Sequence, residues 1–172
     1  MKYRAISADS HINEPPHLWQ DRLPSHLKEE GPKMVRCSDG GDGWSIEGRP
    51  PAGSYGLNAL AGMAYEGYKS SGIRFDEILP GNYDGKAHIE DQLKDGVDAS
   101  VIYPMASLST YTMNDRVLGL ACMRAYNDWL AEEFCAADPR RLVGLALLPV
   151  DDGVEAALAE LQRCMSQGFT GF

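Results

Sequence analysis

From His88 onward, short apolar runs and amphipathic stretches take turns, and that alternation leaves few folds open. His88 to Asp95 reads as a helix with Ile89 and Leu93 on one face and Gly96 as its stop. Ala99 to Tyr103 is an apolar run ended by Pro104, the pattern of a buried strand. Asp115 to Ala137 is the strongest helix signal: Leu118, Cys122, Ala125 and Trp129 recur at spacings of four and three, and Asp138-Pro139 ends the pattern. Leu142 to Leu148 reads as a second buried strand. Asp151 or Asp152 then caps a helix in which Val154, Ala157, Leu158, Leu161 and Met165 share a face, and Gly168 closes it. Phe169 to Phe172 begins another strand. With Tyr3 to Ala8 as the first strand, the order implies an α/β fold with a parallel sheet covered by helices. No Gly-x-Gly-x-x-Gly or Walker-type Gly-Lys-Ser/Thr follows any strand, so the dinucleotide- and phosphate-binding versions of such a sheet lack their fingerprints. A doubly wound sheet fits 172 residues, whereas a (β/α)8 barrel takes about 250, so this chain supplies fewer than half its units.

The first half is less regular. Pro15 and Pro16 open a short helix, His17 to Asp21, which Pro24 breaks. Lys33 to Ser38 and Trp44 to Glu47 flank Asp39-Gly40-Gly41-Asp42-Gly43, a hairpin signal. Residues 48–83, rich in Gly, Pro, Ser and Tyr, read as a long excursion with little regular structure, a length that suggests function. Residues 1–172 thus form one domain, with a loop-and-hairpin excursion over 31–83.

Charge narrows the partners. With 25 acidic against 16 basic side chains and a net charge of −9, the chain has no basic face for nucleic acid. No run approaches the ~20 apolar residues that cross a bilayer, and Met1 to Ser10 lacks the apolar stretch of a signal peptide. Cys37, Cys122, Cys135 and Cys164 show no Cys-x-x-Cys spacing and read as reduced, mostly buried thiols, so a cytoplasmic protein is expected.

Chemistry concentrates where the first strand ends. Asp9 and His11 are two apart, so in a strand they point the same way. A carboxylate and an imidazole converging on one point suit a divalent metal; the alternative is a turn at Asp9-Ser10 with His11 packed in a loop. Glu14 either reaches a metal or substrate or, before Pro15, supports the helix that follows. Trp19 either lines a pocket or packs the short helix onto the sheet. Met105 to Thr112 leaves the second strand at its C-terminal end, and its hydroxyls have no paired base. His17, His26 and His88 read as solvated or half-buried, not as ligands.

The run Asp9-Ser10-His11-Ile12-Asn13-Glu14-Pro15-Pro16-His17-Leu18-Trp19 resembles the opening of the amidohydrolase-related family that includes aminocarboxymuconate-semialdehyde decarboxylase and γ-resorcylate decarboxylase. Further stretches resemble it in order. They are Trp44 to Arg49 for the hairpin, Asp95 to Pro104 for the second strand, and Ala125 to Leu130 for the next helix. Asp138 to Gly144 matches the third strand and Gly168 to Phe172 the start of the fourth. The resemblance implies the N-terminal part of a (β/α)8 TIM barrel with a long excursion after its first strand. It implies Asp9 and His11 as ligands of a divalent metal, zinc or alternatively manganese, and Glu14, Trp19 and Met105 as lining a site for a small-molecule substrate. The implied activity is hydrolysis or decarboxylation of a small carboxylated substrate. The family's other ligands, histidine and aspartate, come from later strands; no histidine follows His88, so the chain is expected to be a fragment, inactive alone. Its catalytic base is not identifiable. An open half-barrel would expose Ile6, Val101, Ile102 and Leu145, so a homo-oligomer is expected, and the alternative to an enzyme is a non-catalytic remnant or interaction subunit pairing through that edge.

Overall fold

The computed structural model describes residues 2–172. A three-stranded parallel sheet runs β1 (Ile6–His11), β4 (Ala99–Tyr103), β5 (Leu142–Gly144), in that spatial order. Between β1 and β4 come α1 (Leu18–Arg22), an antiparallel hairpin of β2 (Lys33–Arg36) and β3 (Asp42–Ser45), and α2 (Gly85–Lys94). Helices α3 (Arg116–Trp129) and α4 (Val154–Ser166) follow β4 and β5. A parallel bridge between Leu145 and Gly171 is all that forms of a fourth strand.

The main core lies on the helix side of the sheet. Ile102 of β4 and Leu142 of β5 meet Leu118, Cys122, Ala125, Tyr126 and Trp129 of α3 there. Ile102 is fully buried, so the expectation that it faces a barrel interior is corrected. Alternation along β4 puts Val101 and Tyr103 on the other face, where Ile6 of β1 is 53% exposed. Cys122, Cys135 and Cys164 are buried free thiols, with burial pushing each up to about 12, and Cys37 is half-buried. No helix among the described residues is long and apolar enough to cross a membrane.

Local chemistry explains where the elements differ from expectation. Helix α2 starts three residues early because the Asp84 carboxylate accepts the Ala87 N–H at 2.8 Å, an N-cap. Its inward residue is Gln92, which accepts the Ser100 hydroxyl proton, while Leu93 is exposed. Helix α3 is capped by Asp115, whose Oδ1 accepts from Val117 and Leu118. It does not run to Ala137: a π turn, Leu130–Phe134, inserts after Trp129. Trp129, Leu130 and Phe134 are all buried across this turn.

Strand β5 stops at Gly144, well short of Leu148, because the buried Asn127 side chain takes over: it accepts the Leu147 N–H and donates to the Leu147 carbonyl, both at 2.9 Å. At α4, neither Asp151 nor Asp152 caps the helix; Gly153 holds that position and Asp152 pairs with Arg116 at 2.7 Å. Gly168, at φ 99°, ends α4 in a Schellman motif, with Phe169 N–H on the Cys164 carbonyl and Gly168 N–H on that of Met165. The predicted shared face of α4 splits: Ala157 and Leu161 pack half-buried against Ala146, Leu148 and Cys164, whereas Val154, Leu158 and Met165 are 69%, 51% and 61% exposed, and the fully buried residues are Glu160 and Cys164.

The excursion is folded. Four 3-10 turns, Leu57–Ala59, Tyr65–Gly67, Phe75–Glu77 and Pro80–Asn82, surround a small core of Tyr55, Ala59, Leu60, Ile73 and Ile78. Trp44 of β3 joins it to the main core by packing edge-on to Trp19, 4.7 Å between ring centroids. Asn13 fastens the excursion over the end of β1: its N–H donates to Asn82 and its side-chain amide to Asn58.

Candidate active site

Strand β1 carries a bulge. Ser7 pairs with Ser100 and Ser10 with Ile102, so three steps on β1 match two on β4. The bulge puts Ser7 and Ser10 on one side, their hydroxyls 2.7 Å apart, and leaves Asp9 and His11 together on the other. Asp9 Oδ1 lies 3.2 Å from His11 Nε2 at the C-terminal end of the strand. Asp9 lies within the irregular stretch and His11 just after it, and the two side chains still come together.

The two nitrogens of His11 are chemically distinct. Nδ1 is 3.0 Å from the Pro104 carbonyl and Nε2 faces the Asp9 carboxylate, and both partners can only accept. A neutral imidazole donates from one nitrogen only, so one of the two contacts is then left as a pair of facing acceptors. The arrangement is satisfied by a second ring proton or by a metal ion held between Nε2 and the Asp9 carboxylate. An imidazole whose other nitrogen donates to a backbone carbonyl is the usual arrangement of a metal-ligating histidine, so these residues fit a divalent cation. The Tyr103 ring lies against His11, 5.6 Å between centroids. Among the described residues no group of three or more His, Cys, Asp or Glu gathers at one point.

The other sequence-derived candidates separate. Glu14 is fully buried and touches no open space; its carboxylate accepts the N–H groups of Met105, Ala106 and Ser107 at 3.2, 2.9 and 2.8 Å. As a lining residue it is corrected: a loop-binding carboxylate buried among three donors has no face for substrate. After burial itself, its charge helps push the Tyr55 and Tyr126 hydroxyls above the ordinary phenol range. Trp19 is corrected likewise. It is fully buried, with its indole N–H on the Cys122 carbonyl at 3.2 Å, so it anchors α1 to α3. Met105 stays at the surface, on the wall of a cleft of about 400 Å³ between the excursion and the segment after β4. Trp44, Arg49, Tyr55, Asn58 and Ser109 also line it.

Arg49 and Asn58 were not singled out from the sequence. Arg49 pairs with Glu47 at 3.1 Å and is half-exposed toward the cleft. The available signal was its place just after the hairpin, which sets it over the strand ends only once the excursion folds back. His17 and His26 are exposed; His88 is half-buried, donating Nδ1–H to the Gly81 carbonyl or accepting nothing else there, and stacks edge-on to Phe134.

No protein-family profile and no curated protein matches this sequence at a significant level. Solved structures do match. An amidohydrolase from Mycobacterium avium subsp. paratuberculosis K-10 superposes with a TM-score of 0.72 at 18% identity, over 98% of this chain and 48% of its own. A 2,6-dihydroxybenzoate decarboxylase from Rhizobium superposes with a TM-score of 0.51 at 21% identity, over 97% of this chain and 36% of its own. The fold is that of part of a TIM barrel, as in these structures. The chain spans about half or less of the length of these structures. In barrels of this kind, chemistry sits at the C-terminal ends of the strands, the end where Asp9, His11 and the Met105 cleft lie.

Proposed function

We propose that this chain provides the first metal ligands and part of the substrate cleft of a metal-dependent enzyme that hydrolyses or decarboxylates a small carboxylated molecule. The observation that carries the reading is the Asp9–His11 pair, 3.2 Å apart at a strand end, with Nδ1 of His11 held by Pro104. A bound zinc or manganese ion would act as a Lewis acid toward a substrate oxygen or bound water. Asp9 contributes anionic charge that favours a cation over an anion at the strand end. His11, fixed through Nδ1, keeps its Nε2 directed at the same point. Met105 and Trp44 give the neighbouring cleft apolar walls, and the Arg49 guanidinium suits a substrate carboxylate. The likeness to one amidohydrolase and one decarboxylase supports the reaction class without choosing between its two members.

The test is zinc and manganese binding to the purified chain, with Asp9→Ala and His11→Ala. Binding is expected at one ion per chain and weak, because two ligands fall short of the three protein ligands usual at a catalytic zinc. Binding that survives both substitutions would defeat the assignment.

A second reading has its own observation. Val154, Leu158 and Met165 on α4, with Ile6 and Phe172 at the two ends of the sheet, leave apolar surface uncovered. Such surface favours self-association or pairing with another barrel segment, and a non-catalytic interaction subunit would use it alone. Metal binding at Asp9 and His11 separates the readings.

A further inference from the structure

We propose that Tyr55 is a specificity-determining residue of the cleft beside Met105: its hydroxyl donates to a second oxygen of the ligand, so the cleft prefers carboxylates that also carry a carbonyl over plain hydrocarbon carboxylates. This rests on the reading of Arg49 as the partner of the ligand's carboxylate. Tyr55 and Trp44 both line the cleft, and the Trp44 indole N–H donates to the Tyr55 oxygen at 2.8 Å. An indole N–H can only donate, so the bond uses a lone pair of the phenol and leaves the phenol's own proton uncommitted. No group among the described residues accepts that proton. Tyr55 is 4% exposed, and a buried donor without an acceptor is costly, so the hydroxyl is satisfied by what enters the cleft. Both rings are held in place. Trp44 packs edge-on to the buried Trp19, 4.7 Å between centroids. Tyr55 is tied on both sides of its backbone: its N–H donates to the Asp42 carbonyl at 2.8 Å, and its carbonyl accepts the Ile73 N–H at 3.0 Å.

The rest of the cleft asks for the same ligand. Arg49 commits Nε to the Ile46 carbonyl at 3.3 Å and Nη2 to Glu47 at 3.1 Å, which leaves Nη1 for a ligand. Asn58 accepts the Gly56 N–H on Oδ1 at 3.0 Å, and its Nδ2 has no partner among the described residues. Arg49, Tyr55 and Asn58 thus all offer donors, and among the described residues no carboxylate side chain lines the cleft. An ammonium ligand would meet a guanidinium and no counter-charge. A carboxylate on Arg49 with a carbonyl oxygen on Tyr55 answers both donors. Burial first and the Glu14 charge second hold the Tyr55 hydroxyl above the ordinary phenol range, against the opposing pull of the Trp44 bond. At neutral pH the phenol therefore keeps its proton and remains a donor.

The experiment follows the indole N–H signals of the full chain by NMR while phenylacetate or benzoylformate is added. The two carboxylates differ by a CH2 against a C=O. The Trp44 signal should shift with both, and benzoylformate should bind about fivefold tighter, the worth of one neutral hydrogen bond. Tyr55→Phe keeps the ring and removes the O–H. In that variant the two ligands should bind equally, with phenylacetate affinity within about twofold of wild type, so that the loss belongs to the pairing of hydroxyl and carbonyl. Equal affinities in wild type would overturn the proposal, and so would a preference for benzoylformate that survives in Tyr55→Phe. Arg49→Ala should weaken both ligands together. If it does not, the carboxylate reading of Arg49 fails, while the ratio of the two ligands still decides the role of Tyr55. A Trp44 signal that responds to neither ligand would overturn the proposal and the reading of the cleft at once. Should Tyr55→Phe not fold, the wild-type ratio decides alone: a fivefold preference supports the proposal and equality overturns it.

Discussion

Helices α3 and α4 carry apolar stripes of the same period and bury them to different extents. Along α3, Leu118, Cys122, Ala125 and Trp129 are all buried against the sheet. Along α4, Val154, Leu158 and Met165 face solvent, while Ala157, Leu161 and Cys164 pack inward with Glu160 buried beside them. Glu160 is fully buried yet well served: it accepts from Arg124, Arg163 and Asn127. Asn127 also holds the backbone of Leu147, so the α3–α4 junction is a polar network where the sequence suggests an apolar seam. Amphipathic periodicity shows that a face is apolar, and not which neighbour covers it.

The largest effect expected from this contrast is on stability. Trp129→Ala and Leu118→Ala should each cost about 3 kcal/mol or more in chemical denaturation, as buried large-to-small changes do. Leu158→Ala should stay within about 0.5 kcal/mol. Equal losses on the two helices would mean that α4 buries its stripe. Next is Glu160→Ala, expected to cost about 3 kcal/mol because it removes a buried acceptor shared by Arg163, Arg124 and the Asn127 amide, leaving Arg163 with Asp128 alone. Burial pushes the Glu160 carboxyl up, but the hydrogen bonds from Arg163, Arg124 and Asn127 outweigh it and hold it below the ordinary range. Its contribution is therefore fully present above the unfolded value near 4.3 and is lost as pH falls through the lower folded value. Acid unfolding curves of wild type and Glu160→Ala should converge there; curves that stay parallel would remove Glu160 from the account. A smaller effect concerns assembly. Leu158→Glu with Met165→Glu should shift sedimentation toward monomer with little change in the unfolding midpoint. The smallest is at the strand end. Asp9→Ala and His11→Ala should each change stability by no more than about 0.5 kcal/mol, since both side chains are largely exposed.

The sheet was legible because strand order follows from short apolar runs joined by helices: β1, β4 and β5 lie side by side and parallel as expected. Ala99–Tyr103 matches to the residue, since Pro104 fixes its end. The hairpin was legible from its glycine-rich turn. What escaped are features set by distant partners. Asn127 ends β5 from 20 residues away, and a polar residue in a helix gives no hint of that. Asp84 as an N-cap was within reach, three residues before Ala87. At the site, the spacing of Asp9 and His11 sufficed to bring them together, whereas Glu14 and Trp19 carried residue types that suit a pocket equally well as a core. Only the contacts with Ser107 and Cys122 distinguish those roles. Arg49 was hidden because its position depends on how residues 48–83 fold over the strand ends.

The most direct measurement of the central claim is a zinc titration followed at the ring nitrogens of all four histidines by ¹⁵N NMR. The Nε2 resonance of His11 should move first and saturate at one equivalent, with Nδ1 keeping its proton on Pro104 and the response lost in Asp9→Ala. A His11 Nε2 that does not respond at millimolar zinc, or a response led by His17, His26 or His88, would contradict a metal site at the end of the first strand.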